Sequence, residues 1–356
     1  MMGLLAALTA FAVSALTAPL IISWYSRNGW VDDPKTHTHA KVTHQNAVPR
    51  GGGLVVLLGI LTASIFWLAW DSYLWAIMSG AVLLALVGWW DDVKDISPKV
   101  RLVANVIAAL IVIGSGIGIA YISHPFQPGV IHLDWPRLEF TLFGEWRSVW
   151  MLSDLLALLF IVWNMNIVNW SKGVDGQLPA FVAVSFLVLS LVAGQFLADP
   201  TTFGTYVLTL ICAGAFSGLL IWNWFPQKMM PGYGAGSLAG YFLAILAILS
   251  GAKVAAVVMT LAIPTADAIF TIARRLYRGK SPFLGDRGHL HHKLLDVYSW
   301  NIPSIAIFYS ASSLFFGLLA LYLNTMGKLL SVMFAGILVI ALQVEAKRRS
   351  GQASKS

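Results

Sequence analysis

The stretch SYLWAIMSGAVLLALVGWWDD, residues 72–92, decides the fold class of this chain. Residues 72–90 carry no charged side chain, and Asp91 and Asp92 follow directly. A helix needs about 20 apolar residues to cross the hydrocarbon core of a bilayer. The stretch therefore predicts a transmembrane helix that ends in two adjacent carboxylates at one face of the membrane.

The rest of the chain repeats this pattern. Of its 356 residues, 58% are hydrophobic and only 11% are charged, whereas soluble domains carry roughly 25% charged residues. The sequence predicts an all-α polytopic membrane protein with about eleven transmembrane helices. Residues 1–345 are expected to form a single transmembrane catalytic domain, and residues 346–356 a basic, disordered cytoplasmic tail. The predicted spans are 3–24, 51–70, 72–90, 102–122, 149–168, 178–197, 203–223, 237–251, 253–272, 303–324 and 328–344.

The basic residues predict the orientation of these spans, because positive charge accumulates in cytoplasmic loops. With the N-terminus outside and the C-terminus cytoplasmic, 19 of the 23 lysines and arginines fall in inner segments. The net charge of +7 is thus a membrane-surface charge, and no motif indicates a nucleic-acid partner. In the long outer loop, residues 129–135 and 138–142 alternate partly between apolar and polar side chains, which predicts a short extracytoplasmic β-hairpin.

Polar residues collect in the inner loops. Asp91 and Asp92 repel each other and therefore favour a shared cation; Mg²⁺ takes oxygen ligands and bridges phosphates. The alternative is a solvated helix end. Asn166, Asn169 and Asp175 follow the fifth span, where amides and carboxylates suit a ribose, a base or a metal, or alternatively cap a turn.

A glycine cluster precedes the next helix. Gly232, Gly234 and Gly236 allow a ligand to approach the backbone closely, and the free N–H groups of a helix that begins near Ser237 form an anion site. The alternative is tight packing between helices.

The last inner loop is the most polar part of the chain. Residues 274–292 read RRLYRGKSPFLGDRGHLHH. The three histidines 289, 291 and 292 have no cysteine nearby, which argues against a zinc site. Arginine and histidine side chains together suit a diphosphate.

Taken together, these loops resemble the polyprenyl-phosphate N-acetylhexosamine-1-phosphate transferases, the family of MraY and WecA, and the His-x-His-His form is closer to the WecA branch. The resemblance covers residues 1–345 and the motifs occur in the order of the family. They are Asp33-Pro34, His44 and Pro49-Arg50-Gly51-Gly52, Asp91-Asp92 and Lys99, Asn166-x-x-Asn169 and Gly173-Val174-Asp175-Gly176, 234–237, Pro264-x-x-Asp267, Arg274-Arg275, Ser281-Pro282-Phe283, and Asp286-Arg287-x-His289-Leu290-His291-His292.

The resemblance implies an enzyme that transfers an N-acetylhexosamine 1-phosphate from a UDP-sugar, with UDP-GlcNAc favoured, to undecaprenyl or decaprenyl phosphate in the cytoplasmic membrane. UMP is released, and the product feeds synthesis of cell-envelope polysaccharide, either peptidoglycan or lipopolysaccharide. It implies Mg²⁺ or Mn²⁺ as cofactor and membrane lipids as partners, and it allows a homodimer. Catalytic and metal roles fall on Asp91, Asp92 and Asp175. Substrate binding falls on His44, Lys99, Asn166, Asn169, Lys172, Gly236, Ser237, Arg274, Arg275, Asp286, Arg287, His289, His291 and His292.

The chain departs from the family pattern at two positions. The family has an acid where this chain has Lys172, and a second acid just before Ala-Gly-Ser, where this chain has Gly234 or, with a loop one residue longer, Tyr233. The second change removes an expected ligand of the metal. We hypothesise that Lys172 compensates in part by neutralising diphosphate charge.

Two other classes compete with the enzyme. A transporter would place its polar groups near the middle of the bilayer, often within internal repeats, whereas here they cluster at the helix ends and no repeat is visible. A catalytically impaired relative that binds lipid phosphate or nucleotide sugar without turnover is motivated by the missing acids.

Overall fold

The computed structural model describes residues 1–35, 46–142, 145–195, 197, 200–251, 254–281 and 287–353. Two of the predicted site residues, His44 and Asp286, lie outside these ranges. The described chain is dominated by helices. They are α1 (Met2–Arg27), α2 (Gly52–Trp67), α3 (Ser72–Lys94), α4 (Pro98–Gly114), α5 (Met151–Trp170), α6 (Gln177–Gly194), α7 (Pro200–Asn223), α8 (Gly232–Leu249), α9 (Val254–Thr260), α10 (Ala262–Tyr277), α11 (Leu290–Asp296), α12 (Ile302–Tyr322) and α13 (Thr325–Ala353).

The predicted class, an all-α multi-pass membrane protein, is confirmed. Among the described residues, eight helices are long and apolar enough to cross a membrane: α1, α3, α5, α6, α7, α8, α12 and α13. Helices α9 and α10 make a ninth span only if they are taken together, and they meet at a bend of 74°. The count of eleven stays a prediction, because α2 has 16 residues and α4 has 17. Sequence windows around these two helices also counted apolar residues that lie beyond the helix ends.

Helix α8 lies at the centre of the bundle, with nearly every side chain buried. It packs against α2, α3, α5 and α6. Its sequence explains this position, since small residues let helix backbones approach closely in membranes. At Gly240, an added Cβ atom would meet the backbone of Asn164 on α5. A hydrophobic core then continues from α1 to α13 without a break.

The corner between α3 and α4 fixes the end of the acid-bearing helix. Asp95 adopts a left-handed conformation with φ 46°, and its N–H donates to the Asp91 carbonyl at 2.8 Å. Aspartate tolerates this conformation better than most residues. Ser97 then caps α4 by accepting from the Val100 N–H, and Pro98 occupies the first turn, where a missing N–H does no harm. The corner brings the first turn of α4 beside the last turn of α3.

The long loop between α4 and α5 contains β-structure, but the predicted pairing of residues 129–135 with 138–142 is wrong. Strand β3 (Tyr121–Ser123) pairs with β4 (Val130–His132), and β5 (Arg137–Leu142) pairs with β6 (Glu145–Trp150), both antiparallel. The Pro- and Gly-containing segment 124–129 makes the turn between β3 and β4, closed by a hydrogen bond from the His124 N–H to the Gly129 carbonyl. The prediction missed β3 and β6 because both border apolar runs.

The last helix extends into residues 346–356, which the sequence predicts to be a disordered tail. Helix α13 continues through Ala353, so residues 346–353 are helical. Arg349 pairs with Glu345 one turn earlier at 3.1 Å and lies 4.9 Å above the ring of Tyr298. These contacts and the helix-forming residues of this segment extend the helix beyond the apolar region.

A third, very short pair of strands lies near the acid-bearing end of α3. Strand β1 (Val31–Asp32) pairs with β2 (Val48–Pro49). The Pro49 carbonyl accepts from the Met230 N–H at 2.7 Å, which ties this pair to the start of α8.

Candidate active site

Asp91 is held by an arginine that the sequence analysis did not select. The Arg101 Nε–H of α4 donates to Asp91 Oδ1 at 2.7 Å, and its Nη2–H reaches Asp95 Oδ1 at 2.8 Å. Asp91 is buried, with 4% of its surface exposed, and a buried carboxylate needs such a partner. The sequence could have predicted this contact, because Arg101 lies in the first turn of α4, directly after the short connection from the end of α3.

Asp92 is less completely satisfied than its neighbour. The Tyr25 hydroxyl of α1 donates to Asp92 Oδ2 at 3.1 Å, whereas Asp92 Oδ1 is buried and has no hydrogen-bond partner among the described residues. The side chain borders a cleft of about 230 Å³ that is also lined by Trp30, Arg50 and Asp95. Asp92 therefore borders a polar cleft, and one of its oxygens has no protein donor among the described residues.

Gly232 lies against Asp92 and allows this close approach. Its φ is +65°, and a Cβ atom there would lie 2.8 Å from Asp92 Oδ1 and would also meet the carbonyl of Arg50. No side chain fits at this position, and only glycine adopts the conformation without strain. The loop before α8 thus brings its backbone directly to the acid pair.

The end of α5 is joined to the start of α8. The Asn169 Nδ2–H donates to the Ser237 hydroxyl at 2.8 Å, and a Cβ atom on Gly236 would meet the Asn169 amide. Gly236 and Ser237, which the sequence analysis assigned to an anion, are therefore in contact with Asn169. Asn166 donates to the Val162 carbonyl of its own helix at 2.7 Å. Of the two asparagines, Asn169 is thus the one with a hydrogen bond to another helix among the described residues.

Lys172 lies between these elements. Its ammonium donates to Asn169 Oδ1 at 3.0 Å and to the Gly232 carbonyl, and its charge interacts with those of Asp91 and Asp92. Burial lowers the pKa of Lys172 to about 7; the two aspartates act in the opposite direction. The Lys172 ammonium is thus fixed by hydrogen bonds to a side-chain oxygen and a backbone oxygen.

Asp175 lies at the beginning of α6 and is buried. Its Oδ2 accepts from the Gln227 N–H at 3.0 Å, in the loop that follows α7. The next residue, Gly176, has φ +76° and donates its N–H to Asn223 Oδ1 at 3.0 Å. These bonds fix Asp175 between α6 and α7.

The histidine segment is organised around a second buried acid, Asp267 of α10. Asp267 Oδ1 accepts from the Leu290 N–H at 2.7 Å and from Gln343 Nε2 of α13 at 3.0 Å, and Oδ2 lies 2.9 Å from His289 Nδ1. Because a carboxylate accepts, we assign the proton to His289 Nδ1. Asp267 belongs to a quoted motif but was not chosen as a site residue, although a buried acid in an apolar helix is itself a signal. Nothing in the sequence around Gln343 indicates this contact.

The three histidines lie together, as the sequence predicted for a shared site. The rings of His289 and His291 are parallel with centroids 5.6 Å apart, and those of His291 and His292 are 4.4 Å apart. A Cβ atom on Gly173 would overlap the His291 ring. Because Gly173 follows Lys172, the loop that contacts the histidine segment also bonds to Gly232, which lies against Asp92.

The arginines of this segment have different surroundings. Arg274 donates to the Gly288 carbonyl at 3.2 Å, and Arg287 forms two hydrogen bonds with Asp296, at 2.9 and 2.7 Å. Arg275 is buried at the end of α10. Lys99 lies exposed in the first turn of α4. These four cations therefore have unequal environments, and their part in the site stays a prediction.

The residues expected to hold Mg²⁺ do not form a metal site by themselves. Within the described ranges, no three His, Cys, Asp or Glu side chains converge closely enough to hold a metal ion. Asp91 is paired with Arg101, Asp175 accepts from Gln227, and the Lys172 ammonium contacts the oxygen atoms of Asn169 and Gly232. The donor set therefore fits an ammonium group better than a divalent ion held by protein ligands alone.

Comparison with known proteins agrees with the sequence motifs. The chain is 25% identical over 355 residues to the probable undecaprenyl-phosphate N-acetylglucosaminyl 1-phosphate transferase of Bacillus subtilis (strain 168), covering 95% of this chain and 90% of that protein. It is 26% identical to the phospho-N-acetylmuramoyl-pentapeptide-transferase of Methylacidiphilum infernorum (isolate V4), covering 78% and 79%. It is 23% identical to the decaprenyl-phosphate N-acetylglucosaminephosphotransferase of Mycobacterium leprae (strain TN), covering 77% and 75%.

The sequence profile of glycosyl transferase family 4 matches residues 74–251, which is half of the chain. This range contains the acid pair, Lys172, Asp175 and the glycine loop, while the histidine segment follows it. The resemblance drawn from the inner loops is thereby confirmed, and the chain belongs to glycosyl transferase family 4.

Proposed function

We propose that this protein transfers N-acetylhexosamine 1-phosphate from a UDP-sugar to polyprenyl phosphate and releases UMP. UDP-GlcNAc is the first candidate donor, because two of the relatives above carry N-acetylglucosamine in their names. The product, a polyprenyl diphosphate sugar, would serve synthesis of a cell-envelope polysaccharide. The reaction would take place at the cytoplasmic face of the plasma membrane, where the excess of basic loops is expected.

One observation carries the proposal. Residues 172–173 contact two otherwise distant groups: Lys172 bonds to Gly232, which lies against Asp92, and Gly173 lies against His291. Carboxylates, an ammonium and imidazoles are thus gathered around one short loop. A site for two phosphorylated substrates needs this combination, because phosphoryl transfer depends mainly on positioning and on neutralising charge.

The chemistry can be written with these side chains. An oxygen of the lipid phosphate attacks the phosphorus that bears the sugar, a new P–O–P bond forms, and the bond to the nucleotide phosphate breaks. UMP leaves with the electron pair of that bond. Because the second pKa of a phosphate monoester is about 6, the attacking group is already largely dianionic at pH 7. Asp92 would then orient the attacking phosphate or accept a residual proton, and the histidines and Lys172 would stabilise the donor diphosphate.

The test is release of UMP by the purified full chain in detergent. Donors would be UDP-GlcNAc, UDP-GalNAc and UDP-N-acetylmuramoyl-pentapeptide, and acceptors undecaprenyl and decaprenyl phosphate. We expect UMP and a lipid-linked sugar in a 1:1 ratio with at least one donor, and release about 10²–10⁴-fold slower with the Asp92→Asn variant. Absence of UMP with every pair of substrates would overturn the proposal.

A second function is favoured by one specific observation. The two family acids are replaced by Lys172 and by Gly234 or Tyr233, and no three-ligand metal group forms in the described part of the chain. A relative that binds nucleotide sugar or lipid phosphate without turnover would share these features. Binding of UDP-GlcNAc with no UMP release would identify it.

A further inference from the structure

The Lys172 ammonium lies where a cation would lie in an oxygen-lined site. Asn169 supplies a side-chain oxygen at 3.0 Å and Gly232 a backbone carbonyl, while the carboxylates of Asp91 and Asp92 add negative charge. Amide, carbonyl and carboxylate oxygens are the ligands that hard divalent ions take in proteins. Here one protein side chain already contributes a positive charge to them.

Packing explains why no acid enters this site from the loop before α8. Gly53 of α2, Gly88 of α3 and Gly234 of α8 meet backbone to backbone: an added Cβ atom on Gly53 would lie 2.8 Å from the Gly234 Cα atom, and one on Gly88 would lie 2.6 Å from it. At Gly234 itself, an added Cβ atom would lie 3.2 Å from the Gly53 Cα atom and 3.4 Å from the Gly88 Cα atom, so a carboxylate at 234 would require these backbones to shift. The site therefore receives only the carbonyl of Gly232 from this loop.

Tyr233 does not replace the acid either. Its hydroxyl lies 2.6 Å from Asn105 Oδ1 and 2.9 Å from the Arg101 carbonyl, both on α4. It therefore contacts α4, and no other residue of 232–234 offers a side chain to Lys172.

The ammonium retains capacity for a ligand. A lysine has three N–H donors and no acceptor, and two of the three are directed at Asn169 Oδ1 and the Gly232 carbonyl. The third is available for a phosphate oxygen. A lysine is a common point-charge binder of phosphate, and here two anchoring bonds hold it in position before the ligand arrives.

We infer that the Lys172 ammonium substitutes for a divalent metal ion, so that the diphosphate of the nucleotide sugar binds this protein without one. The identity of the donor rests on the proposed function. A single positive charge replaces two, and the nearby Arg50 and the histidine segment supply additional positive or hydrogen-bonding groups. Binding of the nucleotide sugar without a metal ion distinguishes this role from a purely structural one, in which Lys172 only connects the end of α5 to the start of α8.

The experiment is isothermal titration calorimetry of UDP-GlcNAc with the full chain in detergent, in excess EDTA and in Mg²⁺. For the wild type we expect dissociation constants that agree within about threefold. Lys172→Met should weaken binding in EDTA by about tenfold to a hundredfold, the loss expected for a hydrogen bond to a charged group. The matched control is Lys347→Met, which removes an exposed lysine from the end of α13 and should leave binding unchanged.

A charge-reversing variant tests the same idea in the other direction. Lys172→Glu would add a third carboxylate to the charges of Asp91 and Asp92, on a side chain that reaches further toward the position of the ammonium than aspartate would. In the absence of nucleotide, electron paramagnetic resonance should detect Mn²⁺ bound to this variant and not to the wild type. Rescue of UDP-GlcNAc binding by Mg²⁺ should occur in Lys172→Glu alone.

The outcomes separate this inference from the proposed function. Wild-type binding that disappears in EDTA and returns with Mg²⁺ overturns the inference and leaves the proposed reaction standing. A folded Lys172→Met variant that binds as tightly as the wild type also overturns it, and Lys172 is then a structural clamp. If no UDP-HexNAc binds under either condition, the donor assignment fails and the inference fails with it. The wild-type comparison needs no variant, so a Lys172 substitution that does not fold leaves the test intact.

Discussion

Two acids of this protein, Asp267 and Asp92, differ in how completely protein groups satisfy their carboxylate oxygens. Asp267 accepts from Leu290 and Gln343 and lies beside His289, so both of its oxygens are in contact with protein groups. Asp92 has a protein donor on one oxygen, Tyr25, and none on the other among the described residues. A fully bonded acid positions its neighbours, whereas an acid with a spare oxygen beside a cleft is able to bind a substrate.

The largest effect should follow from removing the charge of Asp92. We expect Asp92→Asn to lower the rate of UMP release by about 10²–10⁴-fold, the usual contribution of a positioned acid or base. Its thermal unfolding temperature should change little, because the amide keeps the Tyr25 contact. The measurement is steady-state kinetics together with a thermal melt.

The control for this substitution is Asp134→Asn in the outer loop, which should leave both quantities unchanged. An Asp92→Asn variant that keeps full activity would contradict the distinction between Asp92 as a substrate-binding acid and Asp267 as a structural one, whether or not its melting temperature falls.

The second effect concerns Asp267 and should appear first in stability. In Asp267→Asn the amide oxygen can still accept from the Leu290 N–H and from Gln343, which share Oδ1, but the amide nitrogen then faces the His289 Nδ1–H and cannot accept from it. Leaving a buried donor without an acceptor costs about 1–3 kcal/mol. We expect a lower melting temperature, together with weaker donor binding because His289 loses its orienting partner.

Gln343→Met offers a matched comparison, since it removes one donor to Asp267 and leaves the His289 contact in place. It should destabilise the protein less than Asp267→Asn and preserve more of the donor affinity. Equal losses of affinity in the two variants would show that His289 orientation is not what Asp267 provides.

The two acids also show which features of the site can be predicted from the sequence. The positions of Asp91 and Asp92 at a helix end followed from a single apolar run, whereas the placement of all the polar loops at one membrane face stays a prediction. Their partners did not follow, because Tyr25 and Gln343 are distant in sequence and lie in apolar helices without local signals. Hydropathy also cannot show the 74° bend between α9 and α10, since the apolar composition is the same on both sides of it.

A third prediction uses pH to compare Lys172 with the histidines. Because the pKa of Lys172 is lowered to about 7, the amine is charged below that pH and neutral above it. The groups that face it are Asp91 and Asp92, which favour the charged form, and Arg50 and Arg101, which oppose it. In EDTA, the affinity for UDP-GlcNAc should therefore fall as the pH rises above 7, by at most about tenfold per unit for one proton.

The donor itself does not titrate in this range, because both of its phosphates are diesters. Lys172→Arg keeps its charge at every accessible pH, so the part of the pH dependence that it removes belongs to Lys172, and the part that remains belongs to other groups such as the histidines. An unchanged profile in Lys172→Arg would exclude Lys172 as the titrating group.

The smallest effect is expected at Lys99, which is exposed in the first turn of α4, in contrast to the held ammonium of Lys172. A charge surrounded by solvent is screened within about 10 Å at 0.1 M salt. Lys99→Ala should therefore raise the KM for polyprenyl phosphate by less than about threefold at this ionic strength, in line with the weak energies of exposed ion pairs. The increase should be larger at low salt and absent at high salt, because a solvated lysine attracts the lipid phosphate without binding it at a fixed position. A rise in this KM of tenfold or more that does not depend on salt would show instead that Lys99 contacts the phosphate directly. Lys99 would then be a positioned cation like Lys172.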